Sequence, residues 1–407
     1  MQPHIGARIK QLREAAGLRA SDLADLVGMD ATALSKIEND RRNVKSTELA
    51  DLAKALGVSP LALLADEPIL SRLPVAARRA GNGLTMGAAY DELMRLSELH
   101  VVLSDAGIHA SPDLASVPDV RGQSWFDGAE ALARWANTKL PVTSDGDQRF
   151  ASLADKIEEV LSLDVFVQEF EGDALSGAAI TDRSFPLLFV NSTHPRPRCL
   201  FTLAHELGHV LANHNGDGIT LDRELSGSTE DERMANAFAA SFLMPSETIR
   251  SRIEEDGREP STLVALTYEL GVSFESLIYR LHNLRIINAE GRDQLMSVNW
   301  RQLALLLNNP SLRGNVSKFG VSQLQSRDSS RPARRPPGVL LRRASSGYVK
   351  GVIGVQPLAD LVGTDSELML DQFSQKQDID QVIGILKSDF SQQTDETPED
   401  LFSGTPF

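Results

Sequence analysis

His205-Glu206-Leu207-Gly208-His209 sets two imidazoles four residues apart, with a carboxylate beside the first. On a helix, that spacing stacks both rings one turn apart on one face, so both can reach a single metal ion. Glu206, next to the first ring, is placed to take a proton from water activated by such an ion. The helical reading rests on Phe201, Leu203, Ala204, Leu207, Val210 and Leu211, an apolar stripe beside the polar one. The bland alternative is a helix that holds two unrelated histidines.

A structural zinc needs a fourth protein ligand, whereas a catalytic zinc needs a third and one open position. The metzincin pattern would supply that third ligand from the same stretch, with glycine at position 212 and histidine at position 215. The chain has Ala212 and Asn215, and His214 is one place out of register. The other standard source is a glutamate from a second helix, in an E-x-x-A setting. Residues 230–244 read as such a helix, stopped by Pro245, with Met234, Ala237, Phe238, Ser241 and Phe242 at helical spacing. Glu232 with Ala235 fits E-x-x-A and is the expected third ligand. Glu230 and Asp231 are its rivals, or acids favoured in a helix's first turn.

Arg198–His209 (R-x-x-F-T-L-A-H-E-L-G-H), preceded by Phe189-Val190-Asn191 and followed by A-N-x-F-A-x-x-x-L-M-P, resembles the ImmA/IrrE family of zinc metallopeptidases. The resemblance spans roughly residues 120–285. It implies a gluzincin-like site of two helical histidines and a glutamate with zinc as cofactor. It also implies a protein substrate, since many members cleave a repressor or transcription factor in stress or mobile-element responses.

The chain has 407 residues, enough for two or three domains. Its net charge of −15 argues against a protein that coats nucleic acid, though not against one basic face. A single cysteine, Cys199, excludes an internal disulfide framework and suits a reducing compartment. Its expected role is in the core, not on zinc. No apolar run reaches the length of a membrane span, and MQPHIGARIK lacks a signal-peptide core, so the expectation is a soluble, cytoplasmic protein with no membrane partner.

Residues 4–65 read as five short helices. The first starts at Ile5 and ends at Gly17; Ser21 caps the second, which ends at Gly28; Asp30 caps the third; Ser46 opens the fourth and Ser59-Pro60 the fifth. Two helices joined around Gly28 form a helix-turn-helix. Leu23–Asn39 (L-A-x-x-x-G-x-x-x-x-x-L-S-K-I-E-N) resembles the Xre/lambda-repressor-like DNA-binding family. The resemblance implies double-stranded DNA as partner and a homodimer reading paired half-sites. It also places the third helix in the major groove, with Ala31, Thr32, Ala33, Ser35 and Lys36 toward the bases and Arg41, Arg42 and Lys45 toward phosphates. Residues 1–65 hold nine Lys/Arg against eight Asp/Glu, and the reading side chains are small, so base discrimination should be low. A helical protein-binding module is the competing reading of this unit.

The positioning elements follow. Asp66–Met86 reads as a linker, and Gly87–Gly107 as an amphipathic helix. From Ser124 the peptidase-like region starts, with helices at Ala129–Leu140 and Phe150–Leu161 and with Trp125, Leu132 and Trp135 expected in the core. Strands are expected at Val165–Phe170, Ala178–Ile180 and Leu187–Val190, with Leu187–Asn191 as the edge that would hold substrate. Further helices cover Ile249–Glu255 and Thr262–Leu270. Val272–Leu281 matches the family's closing V-S-x-x-x-L-x-x-R-L element, in which Tyr279 and His282 are read as packing residues. Arg327–Arg343, with six arginines, reads as a flexible basic segment; residues 345–373 read as a small helical element, and the end as acidic and mobile.

These readings combine into an α+β protein. An all-α five-helix helix-turn-helix domain (1–66) and a linker with an amphipathic helix (67–120) precede a gluzincin-like α+β metallopeptidase domain (121–285). A partly flexible C-terminal extension (286–407) follows. The expected activity is that of a DNA-binding regulator with zinc-dependent endopeptidase activity. The competing class is a transcription factor whose peptidase-like domain only senses a ligand or partner; an intact Glu206 favours the enzyme.

Overall fold

The computed structural model describes residues 5–15, 18–39, 41–56, 63, 88–142, 148–172, 175–213, 219–222, 229–298 and 331–375. The chain forms two compact units, Met1–His109 and Ala110–Phe407.

The first unit contains α1 (Ile5–Ala15), α2 (Ala20–Leu26), α3 (Ala31–Glu38), α4 (Ser46–Ala55) and α5 (Ala88–Asp105). Ile9, Leu23, Leu34, Ile37 and Leu52 are fully buried together, so each of the first four helices contributes one face to a common core. Gly28, at φ +61°, makes the turn between α2 and α3, a left-handed conformation that costs other residues about 1 kcal/mol. Asp30 caps α3, accepting from the Thr32 and Ala33 amides at 2.7 and 3.3 Å. Ser21 does not cap α2: the helix starts two residues earlier than such a cap would set, and Arg19 is the cap, with Asp22 reaching back to its amide at 3.2 Å and to its guanidinium at 2.9 Å. A buried Arg13–Glu38 ion pair, 2.7 Å, ties α1 to the end of α3. Of the expected fifth helix only Leu63 is described; it is helical and lies in the same core, and the expected linker Asp66–Met86 lies outside the described residues. In α5, Ala89, Leu93, Leu96, Leu99 and Leu103 are buried, the heptad-like stripe that its sequence carries.

The second unit mixes helices with a small sheet. Its elements are α6 (Trp125–Lys139), α7 (Arg149–Val160), β1 (Asp164–Gln168), β2 (Gly177–Ile180), β3 (Leu187–Asn191), α8 (Arg196–Ala212), β4 (Ile219–Asp222) and α9 (Glu230–Leu243). They are followed by α10 (Ser246–Asp256), α11 (Pro260–Leu270), α12 (Phe274–Asn283), α13 (Ala289–Met296), α14 (Gly338–Val349), α15 (Gln356–Val362) and α16 (Ser366–Gln375). The strand order is β1-β3-β2-β4, parallel for β1–β3 and antiparallel for the other two pairs. This corrects the expected substrate-holding edge. Leu187–Asn191 is an interior strand, hydrogen-bonded to β1 on one side and β2 on the other, and is buried along its whole length. The strand that covers β2 is β4, Ile219-Thr220-Leu221-Asp222, which the sequence reading passed over.

Helix α8 lies on β2 and β3 and is covered from the other side by α9, so residues 202–211 are buried all round. Gly208 explains the closeness of the two helices: a Cβ there would stand 2.9 Å from the Phe238 ring and 3.2 Å from the Ala235 Cα. Helix α6 packs along α9 through small residues, among them Gly128, Ala129, Ala133, Ala235 and Ala239. Trp125, expected in the core, is 36% exposed on the first turn of α6, edge-on to the exposed Phe126. The helix starts four residues earlier than its apolar periodicity indicates, because Ser124 caps it through the Asp127 amide at 3.1 Å. That first turn faces solvent.

Two buried arginines hold the C-terminal end of α9. Arg149 Nη2 donates to the Leu243 carbonyl at 3.2 Å, and Arg280 Nε donates to that of Met244 at 3.1 Å. Carbonyls at a helix C-terminus lack partners within the helix, so these bonds stop the end from fraying.

Of the segment expected to be a flexible basic stretch, Arg331–Arg343 lie within the described residues and are tied into the fold. Val167 of β1 and Arg335 exchange both backbone hydrogen bonds, at 2.9 and 2.8 Å. Arg335 pairs with Asp155 and Glu158. Gly338, Val339 and Leu340 give their amides to Glu158 and Asp164 at 2.8–2.9 Å, so two buried carboxylates cap α14. The arginines and the free helix N-terminus are thus drawn to acids some 175 residues upstream.

Candidate metal centre and nucleic-acid interface

His205, Glu206 and His209 are each 0% exposed. Burying three ionisable side chains on one turn of a helix is costly unless a charge partner or a metal meets them. The partner comes from α9. Thr229 caps that helix through the Glu232 amide at 3.3 Å, which fixes the direction of its first turn. Glu232 then places one carboxylate oxygen 3.2 Å from His205 Nε2 and the other 3.4 Å from His209 Nε2. The two Nε2 atoms are 3.0 Å apart.

Ligand atoms of His205, His209 and Glu232 all lie within 4.8 Å of one another, and theirs is the cluster with metal-ligating composition among the described residues. Glu230 and Asp231, on the same first turn, are not in it. The donor chemistry suits a cation. Two neutral imidazoles pointing Nε2 at each other can share at most one proton, whereas two tetrahedral ligands at about 2.05 Å would sit about 3.3 Å apart. Hydrogen bonds from His205 and His209 hold the Glu232 carboxyl well below the usual carboxylate range, against the opposing effect of burial, so it is ionised.

The sequence reading missed Asn236. Its Oδ1 lies 3.1 Å from His205 Nδ1, where it can accept that nitrogen's proton, orient the ring and leave the Nε2 lone pair for a metal ion when one is bound. The signal was available: Asn236 stands four residues after Glu232, hence on the same face of α9. Gly177 of β2 was also missed. A Cβ there would lie 2.4 Å from the Thr202 methyl and 2.8 Å from Glu206 Oε1, so the sheet passes directly beneath Glu206.

The remaining candidates lie elsewhere. Cys199 is buried and donates its thiol to the His194 carbonyl at 3.1 Å; burial pushes it up to about 12, and it is not part of the His205–His209–Glu232 cluster. His194 meets Ser176 at 3.2 Å. Tyr279 is exposed and His282 half-buried, whereas His214 lies outside the described residues.

In the first unit, Thr32, Ser35 and Lys36 form the exposed face of α3, Ala33 is half-buried, and Leu34 and Ile37 point into the core. Arg41 and Lys45 are exposed. Arg42 is half-buried and pairs with Glu48 at 2.7 Å, which also accepts the Lys45 amide at 3.1 Å. Arg42 therefore arrives at any phosphate already partly neutralised.

Fold and site together define a protein with an N-terminal helix-turn-helix domain and a peptidase-like domain carrying a buried His-His-Glu cluster. Residues 4–66 match the family model described as a helix-turn-helix domain, and residues 158–282 match that of the IrrE N-terminal-like domain, a peptidase family. No curated protein matches the chain. Among solved structures, the apo form of the competence regulator ComR from Streptococcus vestibularis is 14% identical, over 78% of this chain and 96% of that one. Its TM-score is 0.15, and it carries no argument here. No helix among the described residues is long and apolar enough to cross a membrane.

Proposed function

We propose that this protein is a DNA-binding transcriptional regulator that is also a zinc-dependent endopeptidase, cutting a repressor or another regulatory protein. The observation that carries the reading is the fully buried His205–His209 pair met by the Glu232 carboxylate, with Glu206 on the same helix turn. His205, His209 and Glu232 would hold zinc, which when bound supplies a Lewis acid that acidifies water and polarises a scissile carbonyl. Asn236 orients His205. Glu206 takes the proton of the attacking water and passes it to the leaving amine. Burial of Glu206 beneath β2 keeps bulk water from competing for that proton. With β3 paired on both sides, the outer edge of β4 is where an extended substrate would add as a strand. In the first unit, Thr32, Ala33, Ser35 and Lys36 would read the major groove while Arg41, Arg42 and Lys45 meet phosphates.

The test is a set of variants read by metal analysis and by cleavage. His205→Ala, His209→Ala and Glu232→Gln should each lose zinc. Glu206→Gln should keep zinc and lose turnover by at least about a hundredfold, the usual contribution of a general base. Full zinc content in Glu232→Gln would remove it as a ligand. Undiminished turnover in Glu206→Gln would end the peptidase mechanism and favour the sensor reading.

A further inference from the structure

The α10–α11 turn, the end of α12 and the start of α13 line an open concavity of about 840 Å³ to which none of the metal-cluster residues belong. Every titratable group on its wall is basic: Arg258 from the α10–α11 turn, His282 from the end of α12 and Arg285 from the turn after it. None of the three makes an ion pair among the described residues. Their neighbours behave differently: Arg252 is held by Asp256 and Glu269, and Arg292 by Asp293. In a chain of net charge −15, three basic groups sharing one concavity with no acid on its wall set up a local positive field that suits an anionic ligand.

Arg285 is also held in the left-handed region, at φ +56°, which costs a residue with a Cβ about 1 kcal/mol. Glycine would fit that turn better, so the arginine has to be accounted for by its side chain. Arg250 steadies the turn by donating to the Leu284 carbonyl at 2.9 Å. The rest of the wall is not ionic. Ile286 and Ile287 supply an apolar surface, and the Asn283 amide offers a donor and an acceptor.

We infer that this cavity binds a small organic phosphate of the nucleotide type. Its phosphates would lie among Arg258, Arg285 and His282, and its ring against Ile286 and Ile287. The size suits such a ligand, since small-molecule pockets run to roughly 300–1,000 Å³. Guanidinium forks match phosphate oxygens two at a time, and a phosphate chain brings enough charge for all three bases. An inorganic anion would make no use of the exposed edge of the isoleucines, and a ring without phosphates would bring no counter-charge to the bases.

Calorimetric titration of the full chain, stripped of metal by a chelator that is then removed, tests this with ATP, tripolyphosphate and citrate as probes. ATP should bind more tightly than tripolyphosphate, and both more tightly than citrate. Arg258→Ala should weaken ATP binding by about tenfold or more, as loss of a charge-assisted contact does. Arg285→Gly should weaken it as much while leaving the thermal midpoint unchanged or higher, because the turn favours glycine. Equal affinity for ATP and tripolyphosphate, no binding at about 1 mM, or ATP binding that both variants retain would each overturn the inference.

Discussion

A methyl group at position 177 has nowhere to go. Thr202 Cγ2, Glu206 Oε1 and the Phe189 carbonyl stand 2.4, 2.8 and 3.1 Å from where it would be. The carbonyl is backbone within the sheet and cannot yield, so the two α8 side chains must. Gly177→Ala should therefore displace the Glu206 carboxylate while leaving His205 and His209, which face Glu232 of α9, in place. The expected result is a protein with normal zinc content and a cleavage rate reduced on the order of a hundredfold, as misplacement of a reacting group by about 1 Å produces. Rates within a factor of two of the parent would show that Glu206 has room to relax. At this scale the sequence was explicit about the helical pair and silent about Gly177, because a strand glycine has no motif until the helix above it is known.

The element that most changes the expected picture is α14. Its first amides end on Asp164 and Glu158, both almost wholly buried. Burial, and then the neighbouring Glu158 charge, raise the Asp164 carboxyl to about 7, although the amides of Leu340 and Val339 and the Arg343 charge pull the other way. The folded protein thus holds a proton on Asp164 that the unfolded chain releases above about pH 4. The stability this contributes is complete below that value and is lost as pH rises through about 7. Asp164→Asn keeps an oxygen for the two amides and removes the charge. Its thermal midpoint should exceed the parent's at pH 8 and match it near pH 4. A parent and variant that differ equally at both values would show that Asp164 does not titrate in this range. None of this was legible in the arginine-rich run from 327 to 343, which as a string resembles solvated linker. Its partners lie on α7 and β1, far upstream, and only folding brings them to it.

At the scale of the molecule, two units with separate cores share one chain, and the proposal gives each a task. A peptidase loose among other proteins needs restriction, and a DNA-binding unit would provide it by local concentration: enzyme and target on one fragment meet far more often than in free solution. If the substrate is itself a DNA-bound regulator, its cleavage should quicken when a fragment carrying both binding sites is added. It should slow again when that fragment is in large excess and the two proteins occupy different molecules. A gel-based cleavage assay across a DNA titration measures this, and a rate indifferent to DNA at every concentration would leave the helix-turn-helix as an independent device. If Arg41 and Lys45 act through phosphates as proposed, the binding itself should weaken steeply with salt.

The sequence alone determined what local rules can express. Four-residue spacing placed His205 and His209 on one helix face, Asp30 and Gly28 marked the turn into α3, and E-x-x-A marked Glu232 among three adjacent acids. The first two depend on contacts within a few residues, where spacing and capping chemistry decide the outcome, whereas Glu232 was singled out by its motif and meets the histidines only in the fold. Tertiary structure decided the rest. It turned Leu187–Asn191 from an edge into an interior strand, because β1 and β2 pair with it on its two sides and pairing partners are not written in a strand's own residues. It gave Gly208 its purpose as the gap through which α9 reaches the histidines, and it bound Arg335 and α14 to acids remote in sequence. It gathered Arg258, His282 and Arg285, which belong to two different turns, around one cavity. Charges distant along the chain attract only once the fold has brought them together and removed the water between them.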